Sequence, residues 1–323
     1  MLTTADMPTQ FNSPIYKDSA RKLDAASVMI LRQAGALILG KTTTTEFAAT
    51  TSGPQTSNPH DPSRTPGGSS SGSGAAVADF QAPIGLGTQT GGSTIRPGSF
   101  NGIYAMKPTW NAISREGQKI YSLILDTIGL YSRSVADLEL LADVFALRDD
   151  APPDPELDLR GARFALCRTV IWPQAGPGTV AAIDRARELL RAEGALVEDV
   201  ELPETLRDLP AWHGTVLASD GRTAFLPEYR VAKAKMSGQL VGHVENQAGI
   251  SRAAQLEAFD HIAAARPLVD KILSEYTAVI TPSVPDEAPV GLEGTGSPAF
   301  NSIWTVGPSR LPDQEFCGGF PVC

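Results

Sequence analysis

Apolar positions along the chain form helical stripes that alternate with short continuous runs. Asp24 stands where it could cap a helix over 25–34, closed by Gly35, and the Ala-Leu-Ile-Leu run at 36–39 predicts a buried strand. Residues 67–74 are all Gly or Ser; helix continues over 75–80, Pro83 stops it, and 84–88 reads as a short strand. Ser134 and Asp137 form a capping-box-like pair ahead of Val135, Leu138, Leu141 and Phe145 at helical spacing. Beyond an acidic, proline-rich stretch, a strand is expected over 164–167. A helix opening at Thr179 follows, with Val180, Ile183 and Leu190 inward and Gly194 closing it, and then a strand over 196–200. A long helical pattern covers 251–275 with an interruption at Pro267, and a strand over 278–281 ends at Pro282. Alternating elements of this kind predict an α/β fold around a largely parallel sheet.

Three compositional facts narrow the function. The 323 residues are enough for one large domain or two ordinary ones. With 27 basic and 36 acidic side chains the net charge is −9, so the chain lacks the basic footprint of a nucleic-acid-coating protein. Three scattered cysteines (Cys167, Cys317, Cys323) make neither a disulfide framework nor a zinc spacing, and no metal is expected. The first residues have no apolar core and no run of 18 apolar residues occurs, so no membrane association is expected and a cytoplasmic location is.

Chemistry concentrates in two glycine- and serine-rich segments. The tract GGSSSGSG at 67–74 could be a flexible linker, but it flows directly into an apolar helix start. Glycines before a helix expose backbone N–H groups that can hold an anion or an oxyanion. Residues 68–72 also match the pattern G-x-S-x-G, though without the preceding strand that a nucleophile elbow needs. A Ser–His esterase built on Ser70 would need His213, His243 or His261 as base; none of these, nor His60, stands in a distinctive context. A dinucleotide loop is weaker still, because the third glycine is missing. The second segment, GLGTQTGGSTIRPGS, reads as strand, Gly-Gly, Ser93 and helix start. Gly91 and Gly92 let the backbone turn several N–H groups toward one point beside Ser93, as a serine nucleophile with an oxyanion hole requires. A tight turn whose serine caps the next helix would give the same pattern.

Together, PGGSSSGSGAAVA, nine further residues, and TQTGGSTIRPGSFNGIYAMKPT resemble the signature of the amidase signature family, with Ser93 following Ser69 by 24 positions. GKTTTTEFA at 40–48 belongs to the same pattern, and the TQTGGS-x-IRP wording is similar to malonamidase-type bacterial amidases. The resemblance runs over 3–147, continues at lower density over 160–305 and stops at 306. It implies an amidase-signature α/β fold, a mixed, largely parallel sheet covered by helices on both faces. It also implies an amidase core over 1–147, a linker or surface loop over 148–161, a continuation of the same domain over 162–305 and a divergent tail over 306–323.

The family hydrolyses carboxamides with a Ser–cis-Ser–Lys triad. The resemblance makes Ser93 the nucleophile, Ser69 the bridging serine after a cis peptide bond, and the N–H groups of Thr90, Gly91, Gly92 and Ser93 the oxyanion hole. A neutral lysine takes the proton through the bridging hydroxyl, Ser93 attacks the amide carbon, and water clears the acyl-enzyme. Arg96 stands where malonamidase-like members hold a substrate carboxylate; a structural arginine is the other reading. Gln89 replaces a frequent Asp and is expected to be structural. The resemblance implies a small-molecule amide substrate, no cofactor, no nucleic acid and no membrane, and it admits a homodimer.

Matching Thr4-Ala5-Asp6-Met7-Pro8-Thr9 to the family's lysine motif puts the lysine two residues ahead of Met1. Lys17 lies downstream of that motif, and Lys41 and Lys107 belong to other motif positions, so none is taken as the base. The expectation is therefore a chain truncated at both ends and impaired in catalysis. Two alternatives stand beside it: a glutamine amidase resembling the A subunit of glutaminyl/asparaginyl-tRNA amidotransferase, and a non-catalytic remnant that only binds an amide or carboxylate.

Overall fold

The computed structural model describes residues 1–53, 56–147 and 158–306, and the backbone of 315–318. Its helices are α1 (Ala26–Gln33), α2 (Ser71–Ala78), α3 (Ile95–Phe100), α4 (Val135–Val144), α5 (Pro177–Ala192), α6 (Leu209–Ala224), α7 (Leu226–Ala232), α8 (Gly238–Val244), α9 (Arg252–Leu273) and α10 (Ala299–Val306). Its strands are β1 (Ile84–Gln89), β2 (Tyr104–Lys107), β3 (Thr127–Ser132), β4 (Arg163–Cys167), β5 (Leu196–Val200), β6 (Ala278–Ile280) and β7 (Glu315–Gly318).

The mixed α/β class stands, but the strands divide between two sheets. The first, β1-β3-β2-β7, is antiparallel throughout; the second, β5-β4-β6, is parallel. The parallel character that the alternating pattern predicts is thus confined to the second half. In the first half β1, β2 and β3 follow one another with little helix between them, which leaves antiparallel pairing as the short route.

Side chains alternate across β3, and this sorts the helices around the first sheet. Ile128 and Leu130 pack with Leu138 and Leu141 of α4. Tyr131, from the opposite face, packs with Val77 of α2 and Ile95 of α3. Helices therefore cover both faces of this sheet. Ser134 caps α4 as expected, its Oγ accepting from Asp137 N at 3.1 Å, although Val135 is exposed rather than inward. In the second half, α5 covers one side of the parallel sheet through Ile183. A separate core joins Leu209 and Val216 of α6, Ile262 and Val269 of α9, and Phe300 and Ile303 of α10.

Three local expectations fail for identifiable reasons. Asp24 does not cap α1; its Oδ1 accepts from Ala5 N and its Oδ2 pairs with Arg32, so Ala25 holds the cap position with no side-chain bond. Residues 36–39 form no strand, and Leu37 and Leu39 are 87% and 71% exposed. Pro267 does not interrupt α9, which runs through it. Pro267 and Ala263 are both exposed, so the carbonyl that loses its helical donor faces water. Of the expected connector over 148–161, only 158–161 lies within the described residues. Within the expected tail, residues 315–318 form β7 against β2.

Candidate active site

Gly and Ser are poor helix formers, so α2 owes its helical form to its surroundings. Every residue from 67 to 74 is buried. Gly72 N donates to Thr43 O, and a Cβ on Gly72 would lie 2.7 Å from Thr43 N, so only glycine lets these backbones meet. The serines satisfy neighbouring backbone: Ser71 Oγ donates to Gly67 O at 2.8 Å and Ser73 Oγ to Leu86 O at 2.7 Å. Ser70 Oγ accepts from Thr88 N at 3.1 Å. Ser69 differs from all three. It is 3% exposed, follows a cis peptide bond from Gly68, and its Oγ has no hydrogen-bond partner among the described residues.

Glycines on β1 and β3 make room for the second segment. Gly87 lies opposite Gly129 in register. A Cβ on Gly129 would meet the Thr94 side chain at 2.1 Å, so the segment after β1 folds down onto this bare patch of sheet. Gln89 fixes the turn: its Oε1 accepts from Thr94 N at 2.9 Å and Ile95 N at 3.0 Å, and its Nε2 donates to Thr305 Oγ1 at 3.0 Å. The side chain thus serves the backbone at the start of α3, which accounts for Gln at this position.

Between β1 and α3, the N–H groups of Thr90, Gly91, Gly92 and Ser93 donate no hydrogen bond among the described residues. Their carbonyl sides are engaged instead. Thr90 O accepts from His213 Nε2 at 2.8 Å, Gly91 O accepts from Thr305 Oγ1, and Gly92 O accepts from Arg96 N at 2.9 Å. Asn301 stands behind Gly92 so closely that a Cβ there would lie 2.3 Å from Asn301 Oδ1. Ser93 is half-buried, and its Oγ makes no hydrogen bond among the described residues. Its carbonyl accepts from Ser70 N at 3.4 Å and Tyr131 Oη at 3.3 Å, so the two serine segments lie side by side.

Arg96 joins the segments from below. It is 4% exposed and its Nη2 donates to Gly68 O at 2.6 Å, the carbonyl of the cis bond, and to Thr295 Oγ1 at 3.3 Å. Its Nε and Nη1 have no partner among the described residues, and burial lowers its pKa to about 10. The arginine is therefore structural through one nitrogen and uncommitted through two.

Asp126 and Thr305 escape a reading of the sequence, since no local pattern marks them, and His213 enters it only as a candidate esterase base. Asp126 is 2% exposed and accepts from Thr90 Oγ1 at 2.7 Å, Tyr121 N at 2.7 Å and Ser122 N at 3.2 Å. Burial outweighs these bonds and pushes its carboxyl up to about 6. His213 is 3% exposed, and burial lowers its pKa, keeping the ring neutral. The other histidines are occupied elsewhere: His60 meets Asn101 O, His243 lies beside Tyr121 and His261 stacks on Trp212. None reaches Ser70, whose hydroxyl is already tied to Thr88. Lys41 Nζ donates to Thr9 Oγ1, and burial lowers its pKa to about 8. Lys107 Nζ donates to Pro108 O, and Lys17 is exposed. Among the described residues no helix is long and apolar enough to cross a membrane, and no cluster of His, Cys, Asp and Glu is placed to hold a metal ion.

Known proteins are similar to this chain in sequence and fold. The model of the family described as Amidase matches residues 1–303. The chain is 39% identical over 234 residues to the glutamyl-tRNA(Gln) amidotransferase A subunit of Symbiobacterium thermophilum, covering 67% of this chain and 48% of that protein. It is 36% identical over 252 residues to the chloroplastic/mitochondrial A subunit of Zea mays, covering 71% and 46%. The chain thus spans about half the length of the curated relatives it matches. Among solved structures, an amidase superposes with a TM-score of 0.81 at 26% identity, over 94% of this chain and 73% of that one. The glutamyl-tRNA(Gln) amidotransferase A subunit of Thermotoga maritima superposes with a TM-score of 0.77 at 27% identity, over 94% and 71%.

Proposed function

The chain belongs to the amidase family, and from that premise we propose that it carries the serine side of a centre that cleaves a carboxamide C–N bond. Ser93 is the nucleophile, and the N–H groups of Thr90, Gly91, Gly92 and Ser93 receive the oxyanion. Ser69 relays the proton from Ser93 and returns it to the leaving amine. The observation that carries the reading is the row of N–H groups that meet no acceptor among the described residues, beside a half-buried serine. Backbone donors fixed before the reaction are well suited to charge that develops on a carbonyl oxygen. The unpartnered Ser69 Oγ supports the relay, because the neighbouring serines all spend their hydroxyls on backbone.

Ser69 Oγ contacts no amine among the described residues, so a relay that ends in a neutral lysine needs that lysine brought to it. Labelling with a serine-reactive fluorophosphonate tests this. Slow labelling of Ser93 is expected, and it disappears in Ser93→Ala while the fold is retained. Rapid labelling of Ser93 would contradict the impaired reading, and labelling that persists in Ser93→Ala would remove the nucleophile assignment.

The identity to amidotransferase A subunits favours glutamine as one amide to try. The two unpartnered nitrogens of Arg96 favour a second class, small amides that also carry a carboxylate. Ammonia release from glutamine, from a dicarboxylic monoamide and from a neutral aliphatic amide separates these. Arg96→Lys raises KM for carboxylate-bearing amides alone if Arg96 holds the carboxylate.

A further inference from the structure

We infer that His213 and Thr305 are positioning residues of this centre: they grip the Thr90 and Gly91 carbonyls from behind and so aim the N–H groups of Gly91 and Gly92 at the substrate's carbonyl oxygen. The inference rests on the serine reading above and adds to it the part of the molecule that shapes the oxyanion site.

A trans peptide unit is planar, and its C=O and N–H point in opposite directions. Holding the Thr90 carbonyl therefore fixes the direction of the Gly91 N–H, and holding the Gly91 carbonyl fixes that of Gly92 N–H. Local sequence cannot do this. Two adjacent glycines leave the peptide between them free to rotate, and Gln89 caps only residues 94 and 95. The third unit is held locally, by Gly92 O accepting from Arg96 N. The first two are held from 123 and 214 residues away, by His213 on α6 and Thr305 on α10.

These two helices are joined to each other. Leu209 and Val216 of α6 and Phe300 and Ile303 of α10 share one core, so the grips on Thr90 and Gly91 move as a unit. Helix α6 also reaches Thr90 by a second route. Asp220 lies seven residues after His213, on the same helical face, and its Oδ2 accepts from Ser122 Oγ at 2.6 Å. Ser122 N donates to Asp126 Oδ1, which accepts from Thr90 Oγ1. Thr90 is thus held by its carbonyl and by its hydroxyl from one helix.

Thr305→Val keeps the shape of the side chain and removes the hydroxyl, Thr305→Ser restores it, and His213→Leu and His213→Gln form the matching pair. The full chain carries 15N-glycine, and the amide resonances of Gly91 and Gly92 are followed. Both signals shift or broaden in Thr305→Val and return in Thr305→Ser; Gly91 responds in the same way to His213→Leu and His213→Gln. Gly35 and Gly194, at distant helix ends, stay in place throughout. Should one of the apolar variants fail to fold, the other pair decides. Gly91 and Gly92 signals that are unmoved in the folded apolar variants overturn the inference, whatever activity the chain has.

A phenylboronic acid reports on the serine reading separately. Boron accepts a lone pair from Ser93 Oγ, the hydroxyl proton leaves to solvent, and the resulting tetrahedral anion occupies the oxyanion site. Binding is expected to weaken about tenfold or more in Thr305→Val and to recover in Thr305→Ser. A wild-type chain that binds no boronate sinks the nucleophile assignment, and the glycine resonances still decide whether the two side chains set the backbone. Wild-type boronate binding that is unchanged in Thr305→Val, despite moved glycine signals, overturns the link from backbone to oxyanion.

Discussion

Residues 67–74 contain no apolar side chain larger than glycine and are buried throughout, whereas residues 36–39 read Ala-Leu-Ile-Leu and leave Leu37 87% and Leu39 71% exposed. Side-chain hydrophobicity alone orders these tracts the wrong way round. The Gly/Ser tract is buried because its backbone and hydroxyls find partners: Thr43 O, Thr88 N, Leu86 O and Gly67 O. Its small residues then let two backbones approach to contact. The apolar tract pairs with no strand among the described residues; Ile38 alone rests against the core beside α4, and without a ladder to hold them Leu37 and Leu39 stay in water. Burial here follows satisfied backbone and available surface more than apolar character.

The strongest way to break the contrast is to deny the Gly/Ser tract its close approach. Gly72→Ala places a Cβ at 2.7 Å from Thr43 N and 2.9 Å from Thr43 O, both backbone atoms that cannot swing aside. A loss of at least about 3 kcal/mol is expected from chemical unfolding, at the upper end for overpacking. A loss below about 1 kcal/mol would mean that this tract is loosely held.

Next in size is a pH effect on the loop that the tract packs beside. Asp126 keeps its proton to about pH 6 in the fold, against an ordinary carboxyl value of 3.8. Between these values the folded chain binds more protons than the unfolded one, so stability falls as pH rises through that window. The loss is up to about 3 kcal/mol and is complete above pH 6. Asp126→Asn cannot titrate. The stability of wild type relative to this variant therefore declines from pH 4 to pH 7 in urea unfolding. A difference that is flat with pH removes the claim of a raised carboxyl.

The same contrast explains what the sequence could and could not reveal. The spacing of Ser69 and Ser93, the Ser134 cap and most strands are legible because their causes lie within a few residues of each other. The exposure of Leu37 and Leu39 is not, since apolar runs report only that burial would be favourable. Asp24 is a sound capping candidate that Arg32 and Ala5 N draw away. His213, Thr305 and Asp126 act on Thr90 and Gly91 from 123, 214 and 36 residues away, and nothing periodic marks such contacts.

A smaller effect separates neighbours inside the buried tract. Ser70→Ala leaves the buried Thr88 N–H without its acceptor and should cost about 2 kcal/mol. Ser69→Ala removes a hydroxyl that has no partner in the described structure and should change stability by less than about 0.5 kcal/mol. A tract built only for packing would give two similar losses. The expected split between adjacent serines marks Ser69 as a residue kept for something other than stability.

The smallest effect is expected where intuition places a large one. Leu37→Ser exchanges a leucine for a polar side chain in an apolar run, and in a core that would cost several kcal/mol. At 87% exposure almost none of the leucine's surface is removed from water on folding, and hydrophobic stabilisation scales with the area removed. Unfolding of Leu37→Ser at two protein concentrations should therefore match wild type within about 0.5 kcal/mol. A loss above about 1.5 kcal/mol that is the same at both concentrations would mean that the run is covered within the single chain. A loss that grows with concentration would mean that it is covered between chains. Either result would place residues 36–39 with residues 67–74 among the buried tracts, and the contrast would then lie in their partners rather than in their exposure.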